Sequence, residues 1–169
     1  MIAFLARRRV ALGWAAALAT VFLATPTTLS LAIGFVVALA GEAIRIWAAG
    51  HLEKSREVTR SGPYRWTRHP LYLGSSLLAA GVVIASRSAV AAVMVAIYMI
   101  ATITAAIRTE EAFLRRTFGD MYDRYRGSTA EPMTRRFSLE RALRNREYRA
   151  ALGMLAGFAL LALKLLLSI

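Results

Sequence analysis

Five apolar runs, at 10–25, 29–49, 71–85, 89–107 and 150–169, restrict this chain more than any other feature of it. Each comes near the roughly 20 residues that a helix needs to cross a hydrocarbon layer. Inside that layer a backbone N–H or C=O finds no water and must be bonded within its own segment, which makes the helix the form such runs take. We therefore expect an all-α integral membrane protein with five transmembrane helices, forming one domain over 1–169. The basic-then-apolar start has the look of a signal peptide, but a second apolar run follows directly after Pro26. A retained helical hairpin is the expected reading.

Charge orients the runs. The chain is 57% hydrophobic yet has a net charge of +12. No basic nucleic-acid-binding motif is present, so the apolar runs point this charge toward anionic lipid headgroups and an anionic substrate rather than nucleic acid. The absence of cysteine excludes disulfides and thiolate metal sites. If the five runs alternate, all but Arg45, Arg87 and Lys164 of the 22 Lys and Arg residues fall on one side. By the positive-inside rule that side is cytoplasmic, with the N-terminus in and the C-terminus out. Arg87 lies on the other side, and Lys164 reaches it by snorkelling.

Two polar stretches on the cytoplasmic side, SGPYRWTRHPLYLG (61–74) and 108–126, hold the His, Tyr, Arg and Glu side chains suited to chemistry. Pro70 fits the first turn of the third run, where its missing N–H is unpaired anyway. Tyr64, Trp66 and Tyr72 suit either a purine ring or an interfacial aromatic belt. Residues 109–126 read as an amphipathic helix with Leu114, Phe118, Met121, Tyr122 and Tyr125 on one face, which either lies on headgroups or covers a cofactor. Residues 135–149 read as a basic connector at the headgroup surface. Glu42 and Arg45, three apart in the second run, form an intrahelical ion pair or face a watery cavity. His69 is a donor to a carboxylate or a cap residue. Glu110 and Glu111 neutralise a cationic ligand or complement a helix dipole. No nucleophilic triad, Walker loop or two-histidine metal spacing is visible.

The two stretches together carry a resemblance. Gly62 to Gly74 fits G-x-Y-x-x-x-R-H-P-x-Y-x-G, and Glu110 to Tyr125 fits E-E-x-x-L followed by F-G-x-x-Y-x-x-Y, at every position. The chain thereby resembles the isoprenylcysteine carboxyl methyltransferase family and its relatives, the phospholipid N-methyltransferases, over about 46–126. One departure is that Arg126 runs into Gly127-Ser128-Thr129-Ala130 instead of a basic stretch ending in Val-Pro. The resemblance implies S-adenosylmethionine bound between the RHP helix and the Glu-rich helix, with no metal. It implies contacts from Tyr64, His69, Leu71, Tyr72, Glu110 and Glu111, and an acceptor carboxylate held by Arg68 and Arg108. Transfer to the carboxylate of a lipophilic, isoprenylcysteine-like acceptor is then expected, with a phospholipid amine as the alternative. A membrane module without turnover and a sterol-reductase-like enzyme are the more distant readings.

Overall fold

Thr27 opens the second helix with a reciprocal cap. Its side chain accepts from the Ser30 N–H at 3.2 Å, and the Ser30 hydroxyl accepts from the Thr27 N–H at 2.9 Å, so two otherwise orphaned donors are satisfied. The computed structural model describes residues 2–131 and 133–167, which contain helices and no strand. The helices are α1 (Ile2–Leu23), α2 (Thr28–Ala49), α3 (Pro70–Ser86), α4 (Ala89–Phe118), α5 (Asp120–Arg126), α6 (Leu139–Arg144) and α7 (Tyr148–Leu167), with a 3-10 turn at Gly62–Arg65. The side chains of Arg7, Arg8 and Arg9, and residues 168–169 of the fifth expected span, lie outside the described residues.

Three helices, α2, α4 and α7, are long and apolar enough to cross a membrane, while the stretch Ala11–Leu23 and α3 are apolar but shorter. Their outward faces are not those of a water-soluble bundle. Phe22 is 81% exposed and Leu166 80%, and Val36, Val90, Ile97 and Ile100 are also exposed, an apolar surface that suits lipid contact.

The tightest packing is between α2 and α3, which run antiparallel. Gly34 faces Gly81 and Gly41 faces Gly74, and a methyl group at any of the four would collide with backbone of the opposite helix. Glycine lets the two backbones approach where attraction between helices in lipid depends on contact rather than on expelling water. Beside this seam, Ala24, Ala38, Ala85, Met154, Phe158 and Leu161 form the core, with Phe35 and Phe158 edge to face at 5.2 Å.

At the end of the bundle away from the motifs, the Thr25 N–H donates to the Ser86 carbonyl at 2.8 Å and the Ser30 hydroxyl to the Ala85 carbonyl at 3.1 Å. Lys164, at this same end, caps α1. Its Nζ donates to the carbonyls of Val21 at 3.0 Å and Phe22 at 2.6 Å, in the last turn, where carbonyls lack their i+4 partners.

One segment differs from the sequence expectation. The fourth apolar run does not end as a helix at Ile107, because nothing between Ile107 and Phe118 breaks one, so α4 continues through Glu110 and Glu111 to Phe118. Gly119, with φ +48°, turns the chain, and α5 folds back so that Arg115 on α4 donates to Asp123 at 2.8 and 3.0 Å. The expected amphipathic helix 109–126 is therefore the last turns of α4 plus a separate short helix. Segment 135–149, expected as a basic connector at the headgroup surface, packs on the end of α2 and the loop after it. There Asn145 donates to the carbonyls of Ala49 and Leu52, both at 2.9 Å, and Arg45 pairs with Glu147 at 2.6 Å.

Candidate active site

A cavity of about 430 Å³ lies where the first polar stretch meets the polar end of α4. Pro70, Leu71 and Tyr72 form one side, at the start of α3, while Thr102, Ala105, Ala106, Thr109, Glu110 and Phe113 on α4 form the other. Tyr64 from the 3-10 turn and Tyr125 from α5 close it, and the Tyr125 hydroxyl donates to the Tyr64 carbonyl at 2.8 Å. Its lining combines apolar side chains of α3 and α4 with polar ones of the loop and motifs.

His69 joins the two motifs. It precedes the first turn of α3, and its Nε2 donates to Oε1 of Glu111 at 3.1 Å, across 42 residues of sequence. Arg68 approaches the same carboxylate oxygen at 3.9 Å. With Nε2 committed to Glu111, His69 keeps Nδ1, which is buried and has no hydrogen-bond partner among the described residues. Such a buried ring nitrogen without a partner is uncommon, since most buried polar groups are hydrogen-bonded. The phenols around it stay protonated. Burial pushes the Tyr64 and Tyr122 hydroxyls up, and that of Tyr125 up to about 12, so they act as hydrogen-bond donors and not as bases.

Of the residues that the sequence singles out, Tyr64, Arg68, His69, Leu71, Tyr72 and Glu110 all line the cavity. Glu111 stands behind His69 and is not part of the wall. Arg108 is exposed on α4 and does not line the cavity either. Glu42 and Arg45 approach each other at 3.5 Å inside the bundle, away from the cavity wall.

The loop after α2 supplies a wall that sequence reasoning missed, from Leu52, Lys54, Ser55, Glu57, Val58 and Thr59. None of these has a motif; the one available signal was that this polar loop is held between two apolar runs. His51, at its start, is buried and shares a 3.0 Å hydrogen bond with the Ser61 hydroxyl, while its ring fills the space beside Gly62, whose φ is +56°. Among the described residues no cluster of His, Asp or Glu is arranged to hold a metal ion.

No curated protein and no solved structure matches the chain. Residues 14–121 match the family of phospholipid methyltransferases. That match contains all of the first motif and Glu110 to Met121 of the second, whereas the isoprenylcysteine branch of the superfamily is not singled out by it. The match spans more than half of the chain and includes the two segments that meet at the cavity, and on that ground the protein belongs to the phospholipid methyltransferase family.

Proposed function

We propose that the protein is an integral membrane methyltransferase that uses S-adenosylmethionine and methylates the amine of a lipid headgroup. The observation that carries the cofactor reading is the His69–Glu111 contact at 3.1 Å, which joins the two motifs where His69 and Glu110 line one cavity. The donor set fits the cofactor's groups. Arg68 and His69 suit the carboxylate, and the rings of Tyr64, Tyr72 and Phe113 the adenine and the sulfonium. When bound, the cofactor supplies a methyl group made electrophilic by a positively charged sulfur. We take Arg68, His69, Leu71 and Glu111 to orient it, and the apolar side chains of α4 to keep water from the reacting atoms.

The acceptor reading turns on charge. An amine must lose a proton before it attacks, and the Glu110 carboxylate at the cavity wall is placed to take it. The carboxylate reading asks instead for two arginines at the acceptor. Arg108 is exposed and away from the wall, which removes half of that support, and Arg68 on the wall is what remains of it. Transfer to an isoprenylcysteine-like carboxylate is therefore the second reading.

For the topology, we infer that α1 and α3 cross the membrane beside α2, α4 and α7, giving five spans with the cavity and the N-terminus cytoplasmic and the C-terminus outside. The exposed arginines of 51–69 and 108–149 then meet anionic headgroups. An acceptor assay tests the chemistry. Purified protein in nanodiscs receives methyl-labelled cofactor with phosphatidylethanolamine or with an S-farnesylcysteine analogue. Label in the phospholipid supports the amine reading; label only in the farnesylcysteine analogue refutes it in favour of the carboxylate.

A further inference from the structure

The loop after α2 and the segment before α7 are distant in sequence, and the second lies beyond residues 14–121 that match the family. They are nevertheless tied by arginines. Arg135 grips Glu57 with both terminal nitrogens, Nη1 to Oε1 at 2.6 Å and Nη2 to Oε2 at 2.7 Å. Arg141 donates from Nε to Glu53 at 2.8 Å, and Arg144 to the same carboxylate oxygen at 3.1 Å. Only one of the two gripped carboxylates belongs to the cavity. Glu57 lines it and Glu53 does not. The Thr59 hydroxyl, also on the wall, donates to Oε1 of Glu57 at 3.2 Å, so one guanidinium fixes two wall residues.

We propose that Arg135 is a positioning residue of the cofactor cavity, holding the loop wall 54–59 in place through its fork on Glu57, so that a segment outside the family match governs cofactor affinity. The proposal rests on the reading of the cavity as the S-adenosylmethionine site. A bidentate guanidinium fixes both the distance and the orientation of a carboxylate, whereas an ammonium fixes only the distance. The loop needs such a hold from outside. It has no helix of its own, and Ser55 sits at φ 61°, a left-handed conformation that a serine leaves when the surroundings no longer enforce it.

Calorimetric titration of S-adenosylmethionine, with thermal unfolding alongside, tests this on the full chain in nanodiscs. Arg135→Ala should weaken binding about tenfold, and Arg135→Lys by an intermediate factor. Arg141→Ala, which removes an equally close clamp on a carboxylate outside the wall, should lower the unfolding temperature but change affinity less than about twofold. Unchanged affinity in Arg135→Ala, or equal losses in the Arg135 and Arg141 variants, overturns the proposal by making the segment a brace without a role in binding. Should Arg135→Ala not fold, Arg135→Lys against Arg141→Ala decides the same question. A wild-type protein that binds no cofactor overturns the functional reading together with this one; a wild type that binds and an Arg135→Ala that binds equally well overturn only this one.

Discussion

A methyl group added to Gly41 would stand 2.6 Å from the Gly74 carbonyl oxygen and 2.6 Å from the Leu78 nitrogen. Ordinary contact begins at 3.4 Å, so Gly41→Ala requires about 0.8 Å of room, the difference between the two distances. Both obstacles are backbone, and no side-chain rotation provides that room; α2 and α3 must part. A gap of about 0.5–1 Å forfeits roughly a quarter to a half of each dispersion contact, and overpacking of a filled interior costs about 1–3 kcal/mol. Replacing a helical glycine by alanine returns about 1 kcal/mol of helix propensity, so the net loss expected is about 0–2 kcal/mol, against a gain of about 1 kcal/mol where the methyl meets nothing. Gly74 is one turn from Pro70, Leu71 and Tyr72 on the cavity wall, so parting the helices weakens cofactor binding as well. The assay is unfolding in detergent micelles followed by tryptophan fluorescence, with Gly153→Ala as the control, since a methyl there meets nothing within 4 Å. Gly41→Ala combined with Gly74→Ala should cost less than the sum of the two, because one separation accommodates both methyls. Equal stability of Gly41→Ala and Gly153→Ala refutes the close-packed seam.

Three other outcomes follow from the geometry. His69→Ala removes the link to Glu111 and the orphaned Nδ1 together, and should weaken cofactor binding about tenfold while leaving the helical content seen by circular dichroism unchanged. Lys164→Met takes the side-chain donor from the Val21 and Phe22 carbonyls, leaving Val21 only the long bond from the Ala24 N–H, and should lower stability by about 1–2 kcal/mol in the same unfolding assay, with no effect on cofactor affinity at the far end of the bundle. The His51 ring is held below its ordinary value of 6.5, by burial first and then by Arg141 and Arg135. Below pH 6.5 the unfolded chain therefore takes up a proton that the folded chain refuses, and stability, full above that pH, falls as pH drops toward the folded value. Unfolding temperatures measured from pH 7.5 to 5.5 should show this decline, and His51→Gln should flatten it.

Much of the bundle is legible in the sequence because hydrophobicity acts locally. The apolar runs are helices, and Pro70 stands at the first turn of α3, since its ring and missing N–H fit there. The site is legible to the degree that motif residues are neighbours in sequence. Tyr64, His69, Leu71, Tyr72 and Glu110 fall in two short stretches, and all five line one cavity. Arg108 shows the limit of that reasoning. It is two residues before Glu110, yet that spacing turns it about 200° around a helix of 3.6 residues per turn, away from the wall. The end of α4 was hidden because a change from apolar to polar composition does not break a helix, while Gly119 does. The wall at 54–59 and its arginine clamp were hidden for another reason. Arg135 and Glu57 are separated by 78 residues, and a charge in a single sequence does not name its partner. The glycine seam was half visible, as two equal spacings, Gly34 to Gly41 and Gly74 to Gly81, that acquire meaning only once the two helices are seen to face each other.

The most direct test of the central claim follows methyl label from S-adenosylmethionine into the organic extract of nanodiscs containing phosphatidylethanolamine and the purified protein. The account predicts labelled phospholipid with the wild type, and label reduced at least about tenfold both in Glu110→Gln, which lacks the carboxylate base to take the proton, and in His69→Ala, which lacks the cofactor contact. Absence of labelled lipid with the wild type, or undiminished label in both variants, would contradict it.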